Sequence, residues 1–253
     1  MRVAVVGAGW AGLAAAVSAV EAGHDVTIFE ASSAVGGRAR ALNVTLPDGQ
    51  VAMLDNGQHI LIGAYRQCLR LMRLVGVSTD RALLETPMSL RFPDGLGLQF
   101  PAWPAPLDAL AGIVSARGWS WGDKATLLRT AVAWQRQKFA CAPELNVAAL
   151  CHTLTPRVMA ELIEPLCVSA LNTPADQASA SVFLRVLQDA LFGASGGSHL
   201  LLPRTDLGAL FPDAAVSWLR QRGARVLCGE RIVSMAWADP GWQLLGREFR
   251  PGD

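Results

Sequence analysis

Three short stretches near the amino terminus carry residue types that could do chemistry on a nucleotide. GAGWAG places Gly7, Gly9 and Gly12 in a G-x-G-x-x-G pattern directly behind an apolar run, the arrangement that holds a diphosphate. The first glycine permits a tight turn, the second lets the backbone approach the anion, and the third lets a helix pack close to the preceding strand. Glu30 follows Gly12 by eighteen residues, near the interval at which a carboxylate accepts hydrogen bonds from an adenosine ribose; it would repel a 2′-phosphate, which disfavours NADP. VGGRAR, residues 35–40, adds a second double glycine, Gly36 and Gly37, with Arg38 at once and Arg40 two residues on. A plain nicotinamide-binding unit has no evident need for it. DNGQH, residues 55–59, gathers polar groups between apolar segments. There Gly57 offers close backbone approach to a planar ring, and His59 belongs to the residue type best suited to moving a proton near neutrality. The same Asp-Asn-Gly trio is ordinary turn chemistry, and both readings stand.

The elements needed to position these groups are legible around them. RVAVV, residues 2–6, reads as a short buried parallel strand, and LAAAVSAVEA as a helix closed by Gly23 at its carboxyl end. DVTIFE, ending in Glu30, reads as a second strand. Together they form a strand–turn–helix–strand unit for a dinucleotide, with the free N–H groups at the helix start facing the anion.

Composition excludes several classes. The 253 residues are 51% hydrophobic with a formal net charge of +1, enough for a substantial core and too little basic field to attract nucleic acid. The five cysteines, Cys68, Cys141, Cys151, Cys167 and Cys228, are scattered with no C-x-x-C pair and read as reduced, mostly buried thiols. No histidine or cysteine pair has metal-ligand spacing, so no metal site is expected. No apolar run approaches the ~18 residues of a spanning helix, and the amino terminus does not suit a signal peptide. The expected location is the cytoplasm or the cytoplasmic face of a membrane.

Gly36, Gly37 and Arg38 resemble the G-G-R segment that follows the nucleotide unit in the flavoprotein superfamily of amine oxidases and phytoene desaturases. That resemblance implies FAD, with a loop closing over the cofactor and a guanidinium on its diphosphate. LDNGQHILIGAY, EPLCVSALNTPADQASASVFLRVL at 164–187 and LLPRTDLGALFP at 201–212 are similar to the squalene-associated FAD-dependent desaturases, understood as hydroxysqualene dehydroxylases. The similarity runs through essentially the whole chain. It implies reduction of hydroxysqualene to squalene by reduced FAD in hopanoid and triterpene synthesis, an isoprenoid substrate and a separate electron donor. The alternatives are a related carotenoid desaturase or amine oxidase, or an inactive fragment. The implied fold is α/β, a Rossmann-like FAD-binding domain of the GR2 flavoprotein type with an inserted, largely helical substrate domain. Its first segment would span residues 1–79, the substrate domain 80–195 and the return segment 196–253. In the return segment the superfamily presents strand backbone to adenine, which nominates Ile232 and Val233, with Arg231 beside them. Family members continue beyond GREFRPGD, where this sequence stops, so the carboxyl-terminal part of the family fold is expected to be absent; Gly252-Asp253 does not replace it.

Within the middle region, hairpin-like MSLRFPDGLGLQF precedes expected helices near 106–116, 121–138, 146–168 and 179–191, and a further helix is expected at 213–222. Ser120 with Asp123 resembles a capping box, and Thr155 precedes a first-turn Pro156. Leu110, Ile113, Leu127, Leu128, Leu166 and Phe183 are of the type that lines an apolar tunnel, and equally of plain core. Phe100, Trp103, Trp119 and Trp121 stand among prolines and apolar residues as at a membrane interface, or as in a packed interior. GASGGSH, 193–199, reads as a flexible connection.

Overall fold

The computed structural model describes residues 1–57, 59–193 and 195–248. The end of the chain, Gly252 and Asp253 included, lies outside the described residues. Two compact units are present: Met1–Leu61, Tyr65–Leu84 and from Leu201 onward form one, and Ile62–Ala64 with Glu85–Leu200 the other. The long excursion therefore changes over at 84/85 and 200/201.

The first unit is built on a parallel sheet of Arg2–Val6, Asp25–Glu30 and Arg225–Cys228, with Asp25–Glu30 in the centre. Val3 pairs with Val26 and Val5 with Ile28, and Ile28 also faces Val226. The expected helix spans Trp10–Glu21 and buries Leu13, Ala16 and Val17; its alanines let it lie close to the strands. Helices Arg66–Leu74 and Pro212–Gln221 complete the core with Leu71, Met72, Ala215, Val216 and Leu219. Two antiparallel hairpins flank this α/β body. Ala41–Thr45 pairs with Val51–Asp55 around a turn in which Asp48 accepts the Gln50 N–H at 3.0 Å. Glu230–Ala238 pairs with Gly241–Glu248, and the register skips Val233.

The second unit opens with the hairpin Ser89–Arg91 and Gly97–Gln99, followed by helices Leu107–Ser115, Trp121–Arg136 and Val147–Leu150, and later Ala180–Leu191. The helix expected over 146–168 is broken. After Leu150 the chain turns, restarts at Pro156–Val158, widens into a π turn at Met159–Ile163 and resumes as Glu164–Leu171. Pro165 lacks the N–H that an α-helix would direct to Glu161, and a local i→i+5 turn accommodates the missing donor. Leu127 and Phe183 lie in the core, with Ile113 and Leu166 packed against it, while Leu110 is exposed. Phe100 and Trp119 are also buried; Trp103 and Trp121 are exposed. Burial raises the Cys151 thiol to about 12, with nearby Cys167 adding to the effect.

The segment read as a flexible connection is pinned. Gly63 N–H donates to His199 O at 3.0 Å and Ala64 N–H to Gly197 O at 2.9 Å. A Cβ on Gly63 would stand 2.0 Å from Gly196 O, so its glycines serve close packing.

The capping box is realised and extended. Ser120 Oγ accepts the Asp123 N–H, Asp123 Oδ2 accepts the Ser120 N–H at 2.8 Å, and Thr155 Oγ1 donates to Asp123 Oδ1 at 2.6 Å. One carboxylate thus joins the starts of two helices. The Thr155 bond first, then those from Ser120, hold the Asp123 carboxyl below its ordinary value. A depressed folded pKa contributes stability above the unfolded value near ~3.9 and loses it as pH falls through the folded value. Asp123→Asn should therefore destabilise the chain at neutral pH and flatten its loss of stability below about pH 4, as read by urea unfolding at several pH values; parallel pH profiles for both proteins would contradict this.

Candidate cofactor site

The glycine loop has the construction of an anion site. Gly7 N–H donates to Phe29 O at 2.7 Å, tying the loop to the end of the central strand. A Cβ on Gly12 would stand 1.9 Å from Gly7 O, so the helix reaches this position only with glycine. Its N-cap, Gly9, offers no side-chain acceptor, and the first-turn N–H groups stay available to a ligand. Glu30 is already engaged: Oε2 accepts the Ala8 N–H at 2.6 Å and Oε1 the Ser32 N–H at 2.8 Å. Each carboxylate oxygen retains a second lone pair with which a ribose hydroxyl can bond.

The second glycine pair closes against the first loop. Gly9 and Gly36 form a parallel bridge, and Gly36 N–H donates to Ala8 O at 2.8 Å. Gly37, at φ +63°, has a backbone conformation strained for any other residue, and a Cβ there would lie a tight 3.1 Å from Gly9 Cα. Two backbones without side chains thus form one cradle. Arg38 is exposed, and its carbonyl accepts from Asn56 Nδ2 at 3.2 Å. Arg40 is the more enclosed arginine: Nη1 donates to Ser32 Oγ at 3.1 Å, whereas Nε is buried with no hydrogen-bond partner among the described residues. A buried guanidinium donor left open beside an uncapped helix start fits the diphosphate of a dinucleotide. The sequence ranks Arg40 behind Arg38 and does not point to Ser32; a hydroxyl two residues after Glu30 was the available signal.

The polar loop is sewn to the same structure. Asn56 N–H donates to Arg40 O at 2.8 Å, and Gly57 adopts φ +91°. Asp55 Oδ1 accepts the Leu207 N–H at 2.9 Å, which gives this carboxylate a structural duty at the start of the Leu207–Leu210 turn. His59 is exposed, with no hydrogen-bond partner for its ring among the described residues. Gly229 N–H donates to Ser32 O at 3.0 Å and anchors the strand that carries Ile232 and Val233. Val233 is the residue the ladder skips, so its backbone groups are free of it. The nominated glycines, Glu30, Arg38, His59, Ile232 and Val233 all belong to the first unit. Those from Gly7 to Gly57 are linked by the hydrogen bonds above; His59 is not fixed by them.

A groove of 410 Å³ lies among Val20, Gly23, His24, Asp25, Arg222 and Gly223. It sits at the strand end where Asp25 begins, opposite Glu30, whereas ligands of open α/β sheets occupy the carboxyl ends. The cradle is therefore the candidate site.

The family model described as flavin containing amine oxidoreductase matches residues 10–247. The chain is similar to a hydroxysqualene dehydroxylase of Sinorhizobium fredii, 27% identical over 254 residues, covering 93% of this chain and 54% of that protein. A zeta-carotene desaturase of Synechocystis is 41% identical over 85 residues, 34% of this chain and 17% of that protein. Among solved structures, an oxidoreductase from Methanosarcina mazei superposes with a TM-score of 0.66 at 16% identity, over 97% of this chain and 56% of that one; this likeness shows the fold. The chain spans about half the length of the Sinorhizobium and Methanosarcina proteins.

Replacing Arg40 removes a donor without disturbing the glycines. Arg40→Ala is expected to keep its circular dichroism and weaken FAD binding about 10- to 100-fold, the loss of one or two charge-assisted hydrogen bonds, as measured by flavin fluorescence titration. Unchanged affinity would remove Arg40 from the site.

Proposed function

The chain belongs to the flavin containing amine oxidoreductase family, and from that premise we propose that it is an FAD-dependent reductase converting hydroxysqualene to squalene. The observation that carries the cofactor assignment is the Gly9–Gly36 bridge with the open Arg40 donor beside it. Similarity over nearly the whole chain to hydroxysqualene dehydroxylases supports the substrate. A second reading, desaturation of a carotenoid, is favoured by the higher identity over a shorter stretch.

In this proposal the N–H groups at the start of Trp10–Glu21 and the backbones of Gly7, Gly9, Gly36 and Gly37 take the diphosphate, with Arg38 and Arg40 opposing its charge. Glu30 accepts from the ribose, the strand backbone at Ile232 and at the unpaired Val233 faces adenine, and Gly57 permits approach to the flavin ring. When bound, reduced FAD supplies the hydride that replaces the allylic hydroxyl. His59 holds, on a ring nitrogen, the proton with which that hydroxyl departs as water. The stoichiometry requires two electrons per turnover, so a separate electron donor is part of the proposal.

The substrate is insoluble in water, and one surface of the second unit suits contact with a membrane. Leu107, Leu110 and Val114 are exposed on one helix at i, i+3 and i+7. Trp103 and Trp121 are 55% and 74% exposed, and Lys124 Nζ lies 4.9 Å from the Trp121 ring centre. Apolar side chains with tryptophan and lysine are the composition of an interfacial surface. Among the described residues no helix is long and apolar enough to cross a membrane.

Incubation with reduced FAD and hydroxysqualene, followed by gas chromatography and mass spectrometry, should yield squalene; new conjugated double bonds in phytoene and no squalene would favour the second reading. His59→Ala should retain FAD and lose about 10²- to 10⁴-fold in turnover, and full turnover would end its assigned role. In sedimentation with anionic phospholipid vesicles, Trp103→Ser combined with Trp121→Ser should reduce the bound fraction severalfold, whereas equal binding would place the contact elsewhere.

A further inference from the structure

Glu85 and His199 form a polar centre in the second unit that the reading above does not use. His199 Nδ1 stands 2.6 Å from Glu85 Oε1. Nε2, at the other end of the ring, is shielded from solvent and has no hydrogen-bond partner among the described residues. The His199 side chain is 16% exposed and that of Glu85 61%, so the imidazole lies behind a carboxylate that reaches the surface.

The frame around this ring is tightly built. His199 N–H donates to Gly196 O at 3.0 Å, closing a turn in which Gly196 adopts φ +76°. The Gly63 N–H bond to His199 O holds the other side, at a contact that admits no side chain on Gly63. Next along the chain, Ser198 Oγ donates to Asp108 Oδ2 at 3.2 Å, and both residues are buried. The ring is thus held by its backbone, by its neighbour and by Glu85, with one nitrogen left open.

A carboxylate on Nδ1 selects the tautomer that carries its proton there and leaves the lone pair on Nε2. A buried ring nitrogen without a partner calls for a ligand or an ordered water. A hydroxyl suits it in either charge state, because the O–H can donate to the lone pair and the oxygen can accept from the imidazolium. We propose that His199 Nε2 is the hydrogen-bond partner of the hydroxyl of an isoprenoid allylic alcohol, with Glu85 as the positioning residue that sets the tautomer. This rests on the reading of the substrate as such an alcohol, and it adds the group that distinguishes alcohol from hydrocarbon product.

The test titrates the chain with farnesol and, separately, with the matching hydrocarbon farnesene, following tryptophan fluorescence and the ¹⁵N resonances of the histidine rings. Farnesol should bind about tenfold tighter, a difference of one hydrogen bond, and should move the Nε2 resonance of His199 while farnesene leaves it in place. His199→Phe should bind the two equally, and Glu85→Gln should shrink the preference and shift the tautomer signal. If His199→Phe does not fold, His199→Gln serves in its place. Equal binding of both probes by the unaltered chain with Nε2 unmoved, as for a ring holding water only, overturns this inference and leaves the isoprenoid reading standing. A preference that survives both His199 substitutions also overturns it. Binding of neither probe overturns both.

Discussion

The first unit depends on one close approach, the backbone at Gly9 lying against the backbone at Gly36 and Gly37. A Cβ on Gly37 would stand 3.1 Å from Gly9 Cα, so the two loops would have to give by a few tenths of an ångström to admit it. Glu30 secures the approach from below by accepting N–H groups from both Ala8 and Ser32. Trp10 secures it from the helix side, with Nε1 donating to Ala39 O at 2.9 Å and its ring 5.2 Å from that of Phe211. Asn56 then fastens the next hairpin to Arg40. The glycine bridge, the Glu30 carboxylate, the Trp10 indole and the Asn56 amide together tie the chain between residues 7 and 57.

The same cradle departs from local optimisation in two places. A helix with glycine at its N-cap, as here at Gly9, forgoes only about a few tenths of a kcal/mol relative to a serine or aspartate there. A buried donor without a partner, Arg40 Nε, costs roughly 1–3 kcal/mol. Either departure alone would be unremarkable in a fold of this size. Both occur in the segment joined by the Gly9–Gly36 bridge, and coincident local violations of this kind are characteristic of functional sites.

Signals read from neighbouring residues were legible in the sequence: the spacing of Gly7, Gly9 and Gly12, the Ser120–Asp123 box, and Thr155 before Pro156. What composition could not separate was the environment of chemically similar residues. Phe100 and Trp119 are core while Trp103 and Trp121 face outward, although all four come from one aromatic, proline-rich stretch. Glycines in GASGGSH read as freedom, but Gly196 faces Gly63 across a contact too close for a side chain, a relation between residues far apart in the chain. The His199–Glu85 pair spans 114 residues and has no local signature. Pro165 was visible in the expected helix, yet whether such a proline ends, kinks or widens a helix is decided by the packing around it.

The chain's histidines show what placement adds to residue type. His59 has the residue type of a proton donor, and its exposed ring has no hydrogen-bond partner among the described residues to orient it. His199 has the same chemistry with the orientation already set by Glu85 and a buried nitrogen facing away from it. The cysteines form the opposite case. Burial raises the thiols of Cys68, Cys151, Cys167 and Cys228, and a protonated thiol is a poor nucleophile and a poor electron relay.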